Sequence, residues 1–254
     1  MSLYNELKRI VDEGESAVLF TVIEGEPLGA KLLVWADGKT AGDGPPELAE
    51  DVSELLARGR GRVLEQEGRR VFAEVFAPPP RLVVFGAVDT AEALCAAAKQ
   101  LGWTTIVADA RSRFATSERL PSADEIIVEW PAEALAQVQP DAATAVIVLT
   151  HDEKFDLPAL QGALATDAFY VGALGSRRAQ AKRRERLAEA GVAEEDLDRI
   201  AGPCGLNIGA ERPPETAISI LSEILATRAG RDGGRLRESQ GSIHVERSEA
   251  SAAS

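Results

Sequence analysis

The chain has 254 residues, 45% hydrophobic but only 5% aromatic, so aliphatic side chains must supply most of a core large enough to exclude general disorder. With 28 basic and 41 acidic residues the formal charge is −13, which excludes general attraction to nucleic acid or an anionic membrane and leaves room for one local basic pocket. No run reaches the about 18 uninterrupted apolar residues of a spanning helix, and the acidic start MSLYNELKRIVDEGES does not read as a signal peptide. The expectation is a soluble, cytoplasmic protein with neither nucleic acid nor membrane as partner. Cys95 and Cys204 are too few for a disulfide framework or a metal-ligand cluster.

In chain order, Ser2 is placed to cap a helix whose Leu3, Leu7, Ile10 and Val11 share one face. Two apolar runs follow at 17–23 and 31–40, the second broken by a turn at Asp37-Gly38. Residues 46–58 read as a helix carrying Leu48, Val52, Leu55 and Leu56, and a hairpin turns at Glu67-Gly68. The proline run Pro78-Pro79-Pro80 marks a boundary, giving a small α+β domain over 1–77. Beyond it the pattern changes. RLVVFGAV, WTTIVAD, EIIVEW, TAVIVLTHD and AFYVGALG are strand candidates alternating with helical or loop stretches, and Gly102 is placed to stop the first helix. That alternation predicts a Rossmann-like, doubly wound parallel-sheet domain over 78–228, closing on a helix at 213–228. Residues 229–254 are rich in Gly, Ser, Arg and Glu and read as a disordered tail, and His244 within it is assigned nothing.

The candidate functional residues fall where these strands end. Gly86-Ala87-Val88-Asp89-Thr90-Ala91 occupies the place of a dinucleotide-binding glycine turn, with Gly86 and Ala91 fitting. Val88 stands at the second-glycine position, and Asp89 sets a negative charge where pyrophosphate would sit or else caps the helix. Asp109, about 20 residues on, is placed to grip a ribose hydroxyl, with Arg111 beside it; the alternative is a solvated loop carboxylate. Thr150-His151-Asp152 closes another strand, and His151 reads equally as a base or ligand and as a structural histidine. Gly172-Ala173-Leu174-Gly175-Ser176-Arg177 runs from a strand through a glycine loop into a helix start, which offers backbone N–H groups and a favourable dipole to an anion. Arg177, Arg178, Lys182, Arg183 and Arg184 read as a local anion site, or alternatively as a solvated helix pairing with Glu185 and Glu189. Arg183, more than a turn from the helix start, is expected to be peripheral to that site. Pro203-Cys204-Gly205-Leu206-Asn207-Ile208-Gly209-Ala210 is an irregular loop, in which Cys204 is either a reactive thiol or a buried structural one. Cys95, among alanines in a helix, reads as core.

Together these stretches resemble the XdhC/CoxI family, accessory proteins for molybdenum hydroxylases such as xanthine dehydrogenase. The resemblance spans most of 15–228. It rests on Gly29-Ala30-Lys31-Leu32-Leu33-Val34 with Asp37-Gly38, on Asp109-Ala110-Arg111, Thr150-His151-Asp152 and Gly172 to Arg177, and above all on the run 203–210 with Pro214-Glu215. It implies a Rossmann-like second domain that binds molybdenum cofactor (molybdopterin), protects it during sulfuration and delivers it to an apo-hydroxylase of the xanthine dehydrogenase type. A cysteine desulfurase and a second copy of the chain, as a homodimer, are the further partners it implies. The implied cofactor-binding residues are Gly86, Asp109, Arg111, Thr150, His151, Asp152, Gly172, Gly175, Ser176, Arg177 and Asn207. The family commonly has Gly-Ala-Gly-His where this chain reads Gly86-Ala87-Val88-Asp89, and tends to carry a different glycine-rich stretch in place of Gly42-Asp43-Gly44-Pro45-Pro46. An NAD(P)-dependent oxidoreductase and a scaffold that has lost its ligand are the alternatives, the first opposed by Val88 and Asp89.

Overall fold

The computed structural model describes residues 2–49, 52–150 and 152–239. They divide into two units, one running to Pro78 and resuming at Gly234, the other spanning Pro79–Gly233. The first unit begins with helix α1 (Leu3–Glu13), strands β1 (Ala17–Glu24), β2 (Lys31–Trp35) and β3 (Thr40–Gly42), and a 3-10 turn at Pro46–Ala49. Helix α2 (Val52–Arg58) and strands β4 (Arg62–Gln66) and β5 (Arg69–Phe76) complete it. The sheet is antiparallel, in the order β3-β2-β1-β5-β4. Alternation along β1 sends its side chains to two cores. Val18, Phe20 and Val22 meet Leu48 and Leu55 on one face, whereas Ala17 and Leu19 meet Ile10 on the other. Both faces are thus covered by helical elements of the same unit, and the apolar sheet itself gives no reason for a second copy. The hairpin turns through Glu67 (φ 48°) and Gly68 (φ 75°), two left-handed residues that match strand twist. The single helix expected over 46–58 is instead a 3-10 turn followed by α2, with residues 50 and 51 outside the described residues.

The second unit holds β6 (Arg81–Phe85), α3 (Asp89–Gln100), β7 (Thr104–Ala108), β8 (Glu125–Ile127), α4 (Pro131–Val138) and β9 (Thr144–Val148). It continues through α5 (Glu153–Leu164), β10 (Tyr170–Ala173), α6 (Arg177–Glu189), α7 (Glu194–Leu197), β11 (Ile200–Ala201) and α8 (Pro213–Arg228). All six strands are parallel, in the order β11-β10-β9-β6-β7-β8. Their nearly all-apolar sequences follow from burial on both faces. Leu82, Val84 and Ile147 pack under α3 and α8, while Val83, Val146 and Val171 pack under α4, α5 and α6. This is the doubly wound Rossmann order read in the sequence, with winding direction reversing between β6 and β9. Loops leaving those two strands diverge, and their carboxyl ends frame the crevice where such sheets bind ligands. After α8 the described chain includes a 3-10 turn at Leu236–Glu238; residues 240–254, including His244 and most of the segment read as a disordered tail, lie outside the described residues.

Candidate cofactor site at the carboxyl edge of the parallel sheet

At the end of β6, Gly86 adopts φ 112°, and a Cβ there would lie 2.8 Å from Thr150 Cγ2 and 3.2 Å from the Thr150 backbone nitrogen. Only glycine lets the β6 and β9 ends approach so closely. Val88 is the N-cap of α3 and is half-buried against the core beneath that helix, and neither it nor Asp89 supplies a side-chain cap. Asp89 stays exposed, 3.6 Å from Arg119.

Asp109, at the end of β7, is buried and fully engaged. Its Oδ2 accepts from the Ala87 N–H (2.9 Å) and Arg111 Nη2 (2.7 Å), and its Oδ1 accepts from the Arg111 N–H (3.0 Å) and Nε (2.9 Å). Burial pushes this carboxyl up, but the Arg111 side chain and the two backbone donors outweigh it and hold it below the usual carboxylate range. The carboxylate therefore braces the glycine turn and orients Arg111, and a ribose hydroxyl would have to displace a bidentate guanidinium to reach it. Asp152 caps α5, accepting from the Lys154 N–H at 3.2 Å, and its charge also acts on Arg111. His151 lies outside the described residues.

Thr150 Oγ1 donates to Asp156 Oδ1, and Asp156 Oδ2 accepts from Arg183 Nη2 at 2.8 Å. Both charged side chains are buried. Arg183 Nη2 also donates to the Leu174 carbonyl (3.2 Å), and its Nη1 to Gln180 Oε1 (3.0 Å). At Arg183 the solvated-helix alternative is overturned: its guanidinium is buried and braces the loop into α6. The rest of the basic run also pairs differently from its expected Glu185 and Glu189 partners. Lys182 pairs with Glu153, and Arg184 with Glu194 and, at 2.7 Å, with Asp198. Arg177 and Arg178 have no ion pair among the described residues.

Those two arginines open α6 directly after Gly175 (φ 145°) and Ser176, whose Oγ accepts from the Ala179 N–H at 3.1 Å. Ser176 satisfies one first-turn donor, so the N–H groups of Arg177 and Arg178 stay available at the positive end of the helix. Gly172 lies inside β10, where a Cβ would meet Tyr170 Cε1 at 2.6 Å, so its role is packing within the strand. The 203–210 loop is clamped to α8. Glu223 accepts from the Tyr170 hydroxyl and from the Gly205 N–H (2.8 Å), and Ser219 Oγ donates to the Leu206 carbonyl (2.6 Å). Asn207 is exposed on that loop.

Cys204 is buried, and burial together with the Glu223 charge pushes its thiol up to about 12; burial does the same to Cys95. A neutral buried thiol is a poor nucleophile. In the folded chain both thiols hold their protons through a range in which unfolded cysteine, at about 8.5, has lost them. Stability is therefore complete below about pH 8.5 and falls as pH rises toward 12, by up to about 1.4 kcal/mol per pH unit for each thiol. Urea titrations of the wild type and of Cys204→Ala across this range check it: the wild type should show the steeper alkaline loss.

The strand order sets the ends of β7, β6, β9 and β10 side by side, which gathers Gly86, Asp109, Arg111, Thr150, Asp152, Gly175, Ser176 and Arg177 along one edge. Asp156 and Arg183 also lie at this edge, as a buried ion pair that sequence reasoning did not foresee. Residues 82–224 match the family model described as the XdhC Rossmann domain. The chain belongs to the XdhC family. Two relatives carry functional names: a probable xanthine dehydrogenase subunit of Bacillus subtilis, 34% identical over 62% of this chain and 46% of that one, and the molybdenum cofactor insertion chaperone PaoD of Escherichia coli, 33% identical over 60% and 42%. The protein YqeB of Escherichia coli is 28% identical over 92% of this chain and 48% of its own. The chain thus spans a little under half the length of these relatives. A crystal structure of a xanthine dehydrogenase from Bacillus halodurans superposes with TM-score 0.69 at 25% identity, over 91% of this XdhC-family chain and 68% of that one. Among the described residues, no helix is long and apolar enough to cross a membrane.

Proposed function

We propose that this chain binds molybdenum cofactor and delivers it to an apo-hydroxylase of the xanthine dehydrogenase type. The observation that carries the reading is the start of α6. On a chain of charge −13, Arg177 and Arg178 stand without an ion pair among the described residues, at a helix N-terminus reached through a glycine loop. The cofactor is anionic through its phosphate and its oxo-metal dithiolene, and this donor set fits the anionic end of such a group. Arg177 and the free N–H groups would hold it, Ser176 fixes the helix start, and Arg183 behind the loop holds Leu174 in place. When bound, the cofactor is cargo, and its redox chemistry belongs to the hydroxylase that receives it. The likeness to the chaperone PaoD supports this role. A homodimer and a sulfur-donating cysteine desulfurase complete the proposed assembly. Acid oxidation of freshly isolated protein should release fluorescent pterin in stoichiometric proportion, whereas protein purified from cells that make cofactor and yielding no pterin would count against the reading.

The dinucleotide alternative carries its own expectation. Asp89 puts a carboxylate beside the α3 N-terminus, where pyrophosphate needs positive potential, so NAD(H) and NADP(H) should bind more weakly than micromolar. Calorimetry checks this, and a micromolar dissociation constant for either would restore the oxidoreductase reading.

A further inference from the structure

The pair Asp156–Arg183, with side chains only 5% and 7% exposed, sits at the centre of a polar chain linking the ends of four neighbouring strands, β11, β10, β9 and β6. Asp156 reaches the end of β9 through the Thr150 hydroxyl, and the Thr150 methyl packs against Gly86 after β6. Arg183 reaches the end of β10 by donating to the Leu174 carbonyl at 3.2 Å. It reaches the end of β11 through Gln180, at 3.0 Å, because a Cβ on Gly202 would fall 2.1 Å from the Gln180 amide carbon. The guanidinium also lies directly behind the glycine loop. A Cβ on Gly175 would stand 3.8 Å from Arg183 Nη2 and 3.9 Å from Nη1. Arg183 belongs to the second turn of α6, and it reaches back to the loop because helical side chains lean toward the helix N-terminus.

Stability alone does not account for an ion pair in this place. Desolvating two charges is repaid only in good geometry, and well-packed apolar side chains of similar volume often serve a fold as well or better. What an apolar pair cannot supply is a directed donor to a backbone carbonyl. Leu174 is the residue between β10 and Gly175. Its N–H donates to the Val148 carbonyl at 2.9 Å and its own carbonyl accepts from Arg183, so both of its peptide groups are fixed just before the loop turns. Ser176 then caps α6 two residues later. The charge of Arg183 is matched by Asp156, so the pair contributes geometry to the loop rather than net positive potential.

We propose that Asp156 and Arg183 are positioning residues that hold the Leu174-Gly175-Ser176 loop in its anion-receiving form, a role separate from fold stability. The proposal rests on the cofactor site placed above at the α6 start. The double variant Arg183→Met with Asp156→Leu tests it, because it keeps apolar volume and removes the directed bonds. Three quantities are measured: the urea midpoint, the affinity for molybdenum cofactor by tryptophan fluorescence, and amide exchange at Leu174 and Gln180, whose bonded N–H groups bracket the loop. The midpoint should stay close to wild type. Cofactor affinity should fall at least about tenfold, and exchange at the two amides should quicken at least about tenfold while β9 amides keep their rates. Wild-type affinity, or wild-type exchange at both amides, in a stable double variant overturns the assignment. A wild type that binds no cofactor would sink the delivery reading instead, and exchange then decides alone: faster loop amides support positioning, and unchanged ones overturn it. Should the double variant fail to fold, Arg183→Lys takes its place. It keeps a charge facing Asp156 but loses the planar fork that serves Asp156, Leu174 and Gln180 together. Affinity and exchange should then shift in the same directions by at least about threefold, and wild-type values would overturn the proposal.

Discussion

Arg183→Ala should destabilise the protein by about 3–5 kcal/mol, the loss typical when one partner of a buried ion pair is removed and the other stays charged. The pair joins α5 to α6, and Arg183 also carries bonds to Leu174 and Gln180, so three groups lose their partner at once. Asp156 would be left buried with only the Thr150 hydroxyl. Urea unfolding gives the measurement, and Arg184→Ala is the control because its ion pairs are at the surface, where about 0–1 kcal/mol is usual. Combining Arg183→Met with Asp156→Leu should recover much of the loss, since the desolvation cost of both charges disappears together. A change below about 1 kcal/mol for Arg183→Ala would show that water or a rearranged partner compensates.

Glu223→Ala should also be costly. It strands the Tyr170 hydroxyl and the Gly205 N–H, and an unsatisfied buried donor costs roughly 1–3 kcal/mol. Tyr170 is only 5% exposed, so water has little access to replace the lost acceptor. The 203–210 loop would lose its tether to α8 and move away from β10, where the Cys204 N–H now donates to the Ala173 carbonyl. A fall in Tm of at least about 4 °C is expected, together with faster reaction of Cys204 with thiol reagents at pH 8. Glu223→Gln keeps a carbonyl acceptor and should cost much less. Equal losses for the two variants would show that the negative charge, rather than the acceptor geometry, stabilises the loop.

The parallel sheet was legible because strands buried on both faces must be apolar throughout, as RLVVF and TAVIV are. Helix α8 was legible from its proline start and continuous apolar stripe. Strand β11 was not, because two residues, Ile200 and Ala201, carry no periodicity. The glycine loop into α6 could be read from residue types, since glycine and a capping serine have specific backbone uses. The depth of Arg183 could not be read from composition, because it sits inside the run Lys182-Arg183-Arg184-Glu185-Arg186, which looks solvated throughout. One signal did exist: Arg183 lies one turn before Leu187, the fully buried residue of α6, and so shares its inward stripe. The approach of Arg111, Arg113 and Arg119 to the Phe114 ring, at 4.7, 4.5 and 5.2 Å from its centroid, was equally hidden, since three arginines spread over nine positions of an irregular segment meet only after folding.

The proposed delivery role turns on a localised anion site at the start of α6 that holds molybdenum cofactor. A charge-assisted arginine contact contributes about 1.5–3 kcal/mol, against roughly 0.3–1 kcal/mol from the helix dipole, so Arg177 should dominate the site. The decisive measurement is pterin affinity, by tryptophan fluorescence titration with molybdenum cofactor, for wild type, Arg177→Ala and Arg184→Ala. Arg177→Ala should weaken binding at least tenfold while Arg184→Ala, paired with Glu194 and Asp198 farther along the helix, leaves it unchanged. Equal weakening by both substitutions, or none by Arg177→Ala, would contradict a site localised at the α6 N-terminus.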